Sequence, residues 1–344
     1  MRFPEFTEEW REYAIGNVLS IGNGRDYKHL HNGDIPVFGT GGYMTSVDDF
    51  LYDGESVFIG RKGTINKPLY YNGKFWTVDT LFYTHSFVNV LPKFAYCLFQ
   101  TINWLKYNEA SGVPSLSKAT IEKIKVRVPS MDEQGKLSNQ LFLLDKRIEV
   151  QNKIIEDLKK LKSAISERFF TSINGDVVTL ADICDIVKGK QVNGEFLTDS
   201  GIYYVMNGGI EPSGYYDDYN TEANTISISE GGNSCGYVQF NTTPFWSGGH
   251  CYTIQNITNN VEKLYLYHYL KCNEDTIMKL RIGSGLPNIQ KKDLAKFRVI
   301  VPIIEQQKTI SAFLSLLERK VQVETDILIA VQSEKQYLLR QMFI

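Results

Sequence analysis

The chain has 344 residues, of which 43% are hydrophobic and 22% are charged, and its formal net charge is −2. This length allows two domains with separate cores, and the composition is that of an ordinary soluble globular protein. No apolar run approaches the roughly 20 residues that span a bilayer, and the acidic start of the chain lacks the apolar stretch of a signal peptide. We therefore expect a cytoplasmic protein without membrane association.

The first part of the chain, up to about residue 111, is predicted to form an α+β head built from short strands. Aromatic and β-branched runs broken by glycine indicate strands at 56–59 and 74–78. Two glycine-rich loops, 38–43 and 59–66, would let the backbone approach a ligand closely. Arg and Lys are suited to binding guanine edges and phosphates. For each residue, an equally good interpretation is a solvent-exposed turn between strands that binds no ligand. The candidates on these loops are Thr40, Gly41, Gly42, Arg61, Lys62 and Thr64.

Residues 112–129 recur in similar form at 285–302, at a fixed offset of 173 and with seven of the 18 positions identical. An offset of half the chain is far longer than a solenoid repeat of roughly 20–50 residues, so it indicates two copies of one domain with its connector. The copies contribute four further candidates, Ser115, Lys118, Asn288 and Lys291. The identical pairs are Gly112/Gly285, Pro114/Pro287, Lys118/Lys291, Lys123/Lys296, Val126/Val299, Val128/Val301 and Pro129/Pro302.

Each copy is followed by a sequence with the seven-residue spacing of a coiled-coil helix, at 130–171 and 303–344. The apolar seams of the two helices have the same length, and a domain separates the helices along the chain. This favours an intramolecular antiparallel pair of helices, with an intermolecular coiled coil as the alternative. A capping-box pattern, Ser130 followed by Glu133, predicts the start of the first helix. The seam positions, with matching polar exceptions, are Leu141, Leu144, Ile148, Gln151, Ile155, Leu158, Lys162, Ile165 and Phe169, and Leu314, Leu317, Val321, Glu324, Leu328, Val331, Lys335, Leu338 and Met342.

A second α+β head is predicted between the two helices, with strands at 202–206, 225–229 and 252–255. Its loops correspond loosely to those of the first head: 205–210 with 38–43, 228–238 with 59–66, and 245–250 with 75–80. Asn suits adenine edges. The candidates on these loops are Asn207, Gly208, Asn233 and Ser234.

Charge gives little support to DNA binding by the chain alone. Residues 1–129 carry 14 basic and 13 acidic side chains, and residues 172–302 carry 10 and 14. If the heads bind DNA, their basic residues must be gathered on one face, or a partner must supply most phosphate contacts.

We find no catalytic pattern in the sequence. It has neither a phosphate-binding P-loop nor a dinucleotide-binding glycine motif, and Asn66-Lys67-Pro68 lacks the second proline and aromatic residue of an amino-methyltransferase loop. His29 and His31 have no third metal ligand at useful spacing. The five cysteines are scattered, which is typical of small buried side chains in a reducing compartment. We therefore expect no cofactor, no metal and no enzymatic activity of the chain by itself.

The repeated signature resembles the specificity subunit of type I restriction-modification systems. GVPSLSK followed by Glu133–Gln134 carries it first, and GLPNIQK followed by Glu305–Gln306 carries it again. The segments Arg61-Lys62-Gly63 and Trp76-Thr77-Val78-Asp79-Thr80 also resemble that family's target-recognition domains. The second head departs from both, with Ser-Gly-Gly-His after Trp246 and with Glu230-Gly231-Gly232.

The resemblance implies an α+β fold with a pseudo-two-fold internal repeat, in which two target-recognition domains of mixed α/β structure are separated by two long antiparallel coiled-coil helices. It implies target-recognition domains at 1–129 and 172–302 and spacer helices at 130–171 and 303–344. Each head would read one half of an asymmetric, split site in double-stranded DNA. Two modification subunits, which methylate adenine, would dock symmetrically, and restriction subunits that translocate and cut DNA could join them.

Three alternatives remain open from the sequence. One is a specificity subunit of a methylation system outside type I. Another is a coiled-coil adaptor whose heads bind protein, against which salt-dependent DNA binding would argue. The third is an enzyme, such as a stand-alone nuclease, with an unrecognised active site.

Overall fold

The structure is a computed structural model that describes residues 2–283, 285 and 287–343. It divides the chain into two compact units, one formed by Met1–Asn152 with Asp326–Ile344 and the other by Lys153–Thr325. Each unit contains one head and a segment of each of two long helices. The described residues do not include Leu286 of the second repeated motif or the two terminal residues, Met1 and Ile344.

The first head is built mainly from antiparallel strands. Its strands are β1 (Arg11–Ala14), β2 (Ser20–Asn23), β3 (Asn32–Gly39), β4 (Gly42–Val47), β5 (Tyr52–Gly60), β6 (Leu69–Thr77), β7 (Leu81–His85) and β8 (Lys125–Val128). Its helices are α1 (Ile15–Val18), α2 (Pro92–Thr101) and α3 (Lys118–Lys123). The predicted strands at 56–59 and 74–78 are therefore confirmed as parts of β5 and β6, apart from residue 78.

One six-stranded sheet positions the loops of the first head. Its strand order is β2-β7-β5-β6-β3-β4, and β1 pairs separately with β8. All neighbours in the large sheet are antiparallel except β3 and β6, which pair in parallel with Val37 opposite Trp76. This parallel pair brings the end of β6 beside the end of β3, where the glycine-rich hairpin tip at 40–42 begins.

The first long helix, α4, runs from Met131 to Ser172 without interruption. The predicted start of this helix after Ser130 is confirmed, because α4 begins at Met131. The Glu133 carboxylate is buried and accepts hydrogen bonds from Arg2, with both distances 2.7 Å, and from the indole N–H of Trp10 at 3.3 Å. Glu133 therefore ties α4 to the first residues of the head.

The second head has the same strand plan, with shorter counterparts of β3, β4, β5 and β6. Its strands are β9 (Asp176–Thr179), β10 (Asp185–Lys188), β11 (Tyr203–Met206), β12 (Tyr215–Tyr216), β13 (Thr225–Ser229), β14 (Val238–Asn241), β15 (Trp246–Ser247), β16 (Cys251–Gln255) and β17 (Arg298–Val301). Its helices are α5 (Leu180–Ile183), α6 (Lys263–Cys272), α7 (Glu274–Met278) and α8 (Lys291–Ala295). The three predicted strands of this head are confirmed as parts of β11, β13 and β16, apart from residue 202.

The repeat is visible in the pairing of the strands. A four-stranded sheet has the order β10-β16-β13-β14, a three-stranded sheet has the order β12-β11-β15, and β9 pairs with β17 as β1 pairs with β8. Strands β14 and β15 together take the place of β6. The parallel pair also recurs, with Val205 of β11 opposite Trp246 of β15.

The second long helix, α9, runs from Ile304 to Met342. Lys335 of α9 is paired with Asp145 of α4, and Glu318 of α9 is paired with Lys162 of α4. Residue numbers rise along one helix as they fall along the other, so the predicted intramolecular antiparallel pair is confirmed. The predicted seam is confirmed as well, because its positions are buried or half-buried.

The long helices contribute side chains to the cores of the heads. In the first unit Leu141, Leu338 and Met342 join the main core cluster, and in the second unit Ile310 and Leu314 do the same. None of the helices in the part of the chain that the structure describes combines the length and the apolar character needed to cross a membrane.

A buried glutamine fixes each head to its helix. Gln134 is fully buried; its Oε1 accepts from Leu91 N at 2.8 Å, and its Nε2 donates to the carbonyls of Asn89 and Pro129, both at 3.0 Å.

Gln307 is equally buried and makes the same three contacts. Its Oε1 accepts from Glu262 N at 2.8 Å, and its Nε2 donates to the carbonyls of Asn260 at 2.9 Å and Pro302 at 2.8 Å. The counterpart of Gln134 is therefore Gln307, and the match to Glu305–Gln306 drawn from the sequence is shifted by one residue.

Candidate nucleic-acid interface

In the first head, three separate segments meet beside the end of β5. The backbone of Lys62 forms an isolated β-bridge with Ser115, and Gly63 N donates to the carbonyl of Pro114 at 2.8 Å. The Oγ1 of Thr40 lies 3.7 Å from the position that a Cβ on Gly63 would take. The hairpin between β3 and β4, the loop after β5 and the repeated motif thus form one surface.

Arg61 is held in this surface by its backbone and displays its side chain. Its N–H donates to the carbonyl of Thr80 at 2.8 Å, and its carbonyl accepts from Leu116 N at 2.9 Å. The guanidinium is exposed; one nitrogen donates to the carbonyl of Asp79 at 3.3 Å, and the group lies 5.8 Å from the centre of the Phe82 ring. Most of its N–H donors remain available to a ligand.

The remaining candidates of the first head surround this cluster. Gly41 is exposed in the turn of the β3–β4 hairpin, Gly42 is the first residue of β4, and a Cβ at either would meet open space. Gly42 has a φ of 105°, which favours glycine. Thr64 follows Gly63. A Cβ on Gly60 would lie 2.1 Å from the carbonyl oxygen of Thr64, so any side chain at position 60 would clash with it.

Lys118 begins α3 on the same repeated motif and lies 3.7 Å from Glu122. Partial burial, and to a smaller extent the positive charge of Lys118, lower the pKa of the nearby His85. His85 is therefore neutral near pH 7, so Lys118 supplies the positive charge at this place.

The second head repeats this arrangement with different side chains. Gly232 N donates to the carbonyl of Pro287 at 3.0 Å, the backbone of Gly231 forms a bridge with Asn288, and Ile289 N donates to the carbonyl of Glu230 at 2.8 Å. These contacts match those of Gly63, Lys62 and Arg61, respectively, in the first head. Glu230 therefore stands where the first head has Arg61, and Asn288 stands where it has Ser115.

A second set of contacts fixes the correspondence of the other loops. The indole N–H of Trp76 donates to the carbonyl of Arg25 at 2.9 Å, and that of Trp246 donates to the carbonyl of Lys190 at 2.8 Å. The sequence match between these two tryptophan segments is therefore correct.

The match between the glycine hairpins is shifted by one residue. The carbonyl of Phe38 accepts from Val78 N at 3.0 Å, and that of Met206 accepts from Gly248 N at 2.8 Å. Phe38 thus corresponds to Met206 rather than to Val205, which aligns Gly208 with Thr40.

Asn207 and Gly208 belong to the cluster of the second head. The Oδ1 of Asn207 accepts from the backbone N–H of His250 at 3.1 Å, and the carbonyl of Gly208 accepts from the Ser229 hydroxyl at 2.7 Å. A Cβ on Gly208 would lie 3.1 Å from the Cβ of His250, and its φ of 83° also favours glycine.

The other three candidates of this head lie on the adjoining segments. Asn233 and Ser234 occupy a turn closed by a hydrogen bond from Cys235 N to the carbonyl of Gly232 at 3.1 Å. Lys291 is exposed at the first position of α8, as Lys118 is at the first position of α3.

Sequence reasoning missed two residues at the centre of this second cluster, Glu230 and His250. It noted their segments only as departures from the first head. The signal that could have found them is positional, because Glu230 N donates to the carbonyl of His250 as Arg61 N donates to that of Thr80.

Among residues 2–283, 285 and 287–343, no group of three or more His, Cys, Asp or Glu side chains is placed to hold a metal ion. Four cysteines are buried as expected, but Cys272 is exposed.

The two halves of the chain match one family of proteins. A model described as the type I restriction modification DNA specificity domain matches residues 7–160 and again residues 174–333. The chain belongs to this family. The resemblance seen in the repeated motif is therefore confirmed. The two matches fall on the two halves of the chain that the internal repeat relates.

Related proteins are similar over different lengths. A putative type I specificity subunit from Mycoplasma pneumoniae is 32% identical over 154 residues, which are 44% of this chain and 41% of that protein. One from Mycoplasma genitalium is 31% identical, covering 44% and 40%. The chain thus spans less than half the length of these two curated relatives. A putative type I restriction enzyme specificity subunit from Haemophilus influenzae is 21% identical over 335 residues, covering 89% of this chain and 86% of that protein.

Solved structures share the whole fold. The crystal structure of a type I restriction-modification system S subunit from M. genitalium has a TM-score of 0.79 at 19% identity, covering 99% of this chain and 97% of that one. A chain from a structure of the assembly of a type I restriction-modification system has a TM-score of 0.57 at 14% identity, covering 98% of both. The predicted fold class is confirmed by these likenesses.

Proposed function

We propose that this chain is the non-catalytic DNA-recognition subunit of a type I restriction-modification complex in the cytoplasm. The observation that carries the proposal is the pair of equivalent loop clusters, one in each head, built on an identical backbone frame around Gly63 and Gly232. Two equivalent frames with different side chains suit a double-stranded DNA site made of two different halves.

The side chains at equivalent positions support different half-sites. The first cluster presents Arg61 and Lys62, and the second has Glu230 and Gly231 at those places. Arginine pairs with the two acceptors on a guanine edge, whereas Glu230 is buried and Gly231 has no side chain, so the second cluster has no basic side chain at these two places. We therefore assign the fourteen candidate residues named from the sequence to DNA binding, eight in the first head and six in the second.

A repeated apolar surface on the long helices supports two identical partners. Leu143 and Val150 are 69% and 50% exposed on α4, and Leu316 and Val323 are 65% and 45% exposed on α9. Each pair is seven residues apart and therefore lies on one helix face. The two pairs are related by the offset of 173 residues.

Basic side chains between the apolar residues complete this surface. Lys146 and Arg147 lie between the first pair, and Arg319 and Lys320 lie between the second, all of them exposed. Exposed apolar side chains repeated in this way are typical of protein docking sites. We propose that one methyltransferase subunit docks on each surface and that restriction subunits join the assembly.

The near-neutral charge agrees with such an assembly. DNA affinity depends strongly on phosphate contacts from Lys and Arg, and the second head has more acidic than basic residues. Partner subunits that enclose the DNA would supply the missing contacts. In this arrangement residues 1–129 and 172–302 are the recognition domains, and residues 130–171 and 303–344 are the spacer helices.

The spacer helices would set the gap between the half-sites. Adding one heptad to both helices, after Ile155 and after Leu328, would keep the seam and lengthen it by about 10 Å. B-DNA rises about 3.4 Å per base pair, so the preferred gap should grow by up to about three pairs with the half-sites unchanged. Selection from a library of randomised spacers would measure this. An unchanged gap at full affinity would contradict the spacing role.

The proposed function is tested with the chain and the methyltransferase subunits of its own system. Methylome sequencing of cells carrying the system should reveal one bipartite site. The purified complex should bind a duplex carrying that site, lose this binding when either half is scrambled, and bind more weakly as salt increases. The chain alone should neither bind S-adenosylmethionine nor methylate DNA. Methylation by the pure chain, or equal binding of intact and scrambled duplexes, would refute the proposal.

The docking surfaces are tested by matched double substitutions. Leu143→Ser with Val150→Ser should remove one methyltransferase subunit, and Leu316→Ser with Val323→Ser should remove the other. Native mass spectrometry should then show one subunit per chain instead of two. A control with Gln332→Ser and Gln336→Ser, exposed on α9 away from these surfaces, should keep both subunits. Two bound subunits in both apolar variants would contradict this assignment.

A further inference from the structure

The carboxylate of Glu230 is buried with only one of its oxygens in use. The residue is 7% exposed; its Oε1 accepts from Lys188 Nζ at 2.7 Å and from the hydroxyl of Tyr252 at 3.0 Å. Its Oε2 has no hydrogen-bond partner among the residues that the structure describes. A buried acceptor without a donor destabilises a fold, so this oxygen indicates a contact that is made only in another state.

One donor that could reach this oxygen is the side chain of His250. Its Nδ1 lies 3.8 Å from Glu230 Oε2, which is too long for a hydrogen bond. The histidine side chain is 62% exposed, whereas the glutamate side chain is 9% exposed. A shift of the ring by about 1 Å would make the bond and leave Nε2 facing outward.

This pair lies inside the candidate DNA surface of the second head. Asn207 holds the backbone of His250, and the His250 Nδ1 lies 3.8 Å from the position that a Cβ on Gly231 would take. A Cβ on Gly231 would also lie 4.0 Å from the Cβ of Asn288. A ligand that touches these neighbours would therefore meet the imidazole.

The other titratable groups around the pair come from separate elements. Lys188 of β10 and Tyr252 of β16 both bind Oε1, and the thiol of Cys235 donates to the Glu230 carbonyl at 2.9 Å. Lys188 balances the charge of Glu230. A protonated His250 would then add a net positive charge to this surface, which the neutral form would not.

The first head has a permanent positive charge at the same place. Glu230 and His250 occupy the positions of Arg61 and Thr80, as the equivalent backbone hydrogen bonds show. In the first head an arginine side chain extends from this frame. In the second head a histidine beside a buried carboxylate is the group that could present a positive charge there.

We propose that His250 is a DNA-contacting residue of the second head and that Glu230 is its positioning residue. In the bound state Nδ1–H donates to Glu230 Oε2, and Nε2–H donates to an acceptor on the DNA. That acceptor is a phosphate oxygen or the N7 or O6 edge of a guanine. The inference rests on the proposed function and deepens it.

Both ring nitrogens donate only when the ring is protonated, so the bound state that we propose requires the protonated form of the ring. Histidine side chains exchange protons around neutral pH. Target affinity should therefore increase as the pH falls, by up to about tenfold per pH unit for a single coupled proton. A fixed arginine in the same place would give no such slope.

The test uses the full complex and a fluorescent duplex that carries the target site identified by methylome sequencing. The Kd is measured by fluorescence anisotropy from about pH 6 to about pH 8. We expect the wild-type Kd to fall towards acidic pH, and this slope to be flattened by His250→Gln and by Glu230→Gln. His31→Gln, an exposed histidine of the first head outside the cluster, is the matched control and should keep the wild-type slope. His250→Asn provides a second removal of the ring, and circular dichroism checks folding of every variant.

The outcomes separate this inference from the proposed function. A wild-type complex that does not bind its site would refute the proposed function itself. A complex that binds, with equal pH slopes for wild type, His250→Gln and His250→Asn, would overturn only the role of His250. On duplexes altered at single base pairs of the second half-site, a slope retained with every change would support a phosphate contact, and a slope lost with one change would support a base-edge contact.

Discussion

Lys335 Nζ lies 2.5 Å from Asp145 Oδ1, and the same ion pair recurs 173 residues away with its roles exchanged between the helices. There Lys162 Nζ lies 2.6 Å from Glu318 Oε1. Adding 173 converts Asp145 to Glu318 and Lys162 to Lys335. The two pairs fix the register of the antiparallel helices, which is the usual effect of a polar residue in an apolar seam.

The two lysines should differ in their contribution to stability. The Lys335 side chain is 9% exposed and also donates to Gln100 at 2.7 Å, whereas that of Lys162 is 22% exposed and its partner Glu318 is 41% exposed. Removing one partner of a buried pair costs about 3–5 kcal/mol, and removing an exposed one costs about 1 kcal/mol or less. In urea denaturation, Lys335→Met should lower the free energy of unfolding much more than Lys162→Met does. Equal losses would show that burial does not determine how much these ion pairs contribute to stability.

The buried glutamine of the first unit should be sensitive to substitution. Gln134→Ala leaves one buried N–H and two carbonyls without their partner, at about 1–3 kcal/mol for each group that water cannot reach. We expect a loss of at least about 2 kcal/mol in the free energy of unfolding. Gln306→Ala, on the exposed side of the corresponding turn of α9, is the control and should change it by no more than about 0.5 kcal/mol. Similar values for both variants would mean that the contacts of Gln134 are dispensable.

The repeat and the long helices could be predicted from sequence because their signals are local or periodic. Pro129 and Pro302 stand at a fixed offset, and seam positions such as Leu141 and Leu314 follow a seven-residue spacing. The contacts of Gln134 could not be predicted in this way, because its partners include Leu91, which is distant in sequence. Without those contacts, the sequence suggests a match of Glu133–Gln134 with Glu305–Gln306. This match is wrong by one position, because the counterpart of Gln134 is Gln307.

The candidate site was predicted only in part for the same reason. Arg61 was predicted from its glycine-rich loop and Ser115 from the repeated motif, and only the folded backbone shows that these two segments meet. Glu230 and His250 lie twenty residues apart on different strand ends. A buried carboxylate with one free oxygen has no sequence signature, so its partner could not be found before the fold was known.

The second unit should lose stability in mild acid through His268. Burial lowers the pKa of this histidine to about 4, and its Nε2 lies 2.9 Å from the hydroxyl of Ser315. An unfolded histidine has a pKa of about 6.5, so the unfolded state binds the extra proton between about pH 6.5 and about pH 4. The contribution is complete above this window and falls by up to about 3 kcal/mol as the pH decreases through it.

Urea denaturation at several pH values would measure this effect. His268→Gln should show a shallower loss of stability with acid than the wild type. Ser315→Ala keeps the titrating group and should retain the wild-type pH slope. If His268→Gln and the wild type lose stability in parallel, the buried histidine does not control acid sensitivity.

Arg61 should matter to one half-site only. If its guanidinium binds a guanine through two hydrogen bonds, Arg61→Ala should weaken binding by about 1–3 kcal/mol and relax specificity at that base pair. Lys106→Ala removes the same charge from an exposed position outside the cluster and is the control. Competition binding of the complex with duplexes altered at single base pairs would show the effect. Unchanged affinity, specificity and salt dependence would make Arg61 an ordinary surface residue.

The most direct test of the account is an exchange of one head. Residues 1–111 would be replaced by the equivalent region of a relative with a different target, leaving the repeated motifs, the long helices and the second head intact. Methylome sequencing of cells that express this hybrid with its methyltransferase should show a new sequence in one half of the site, with the other half and the gap unchanged. A change in both halves, or an unchanged site in a folded and assembled hybrid, would contradict the claim that each head reads its own half.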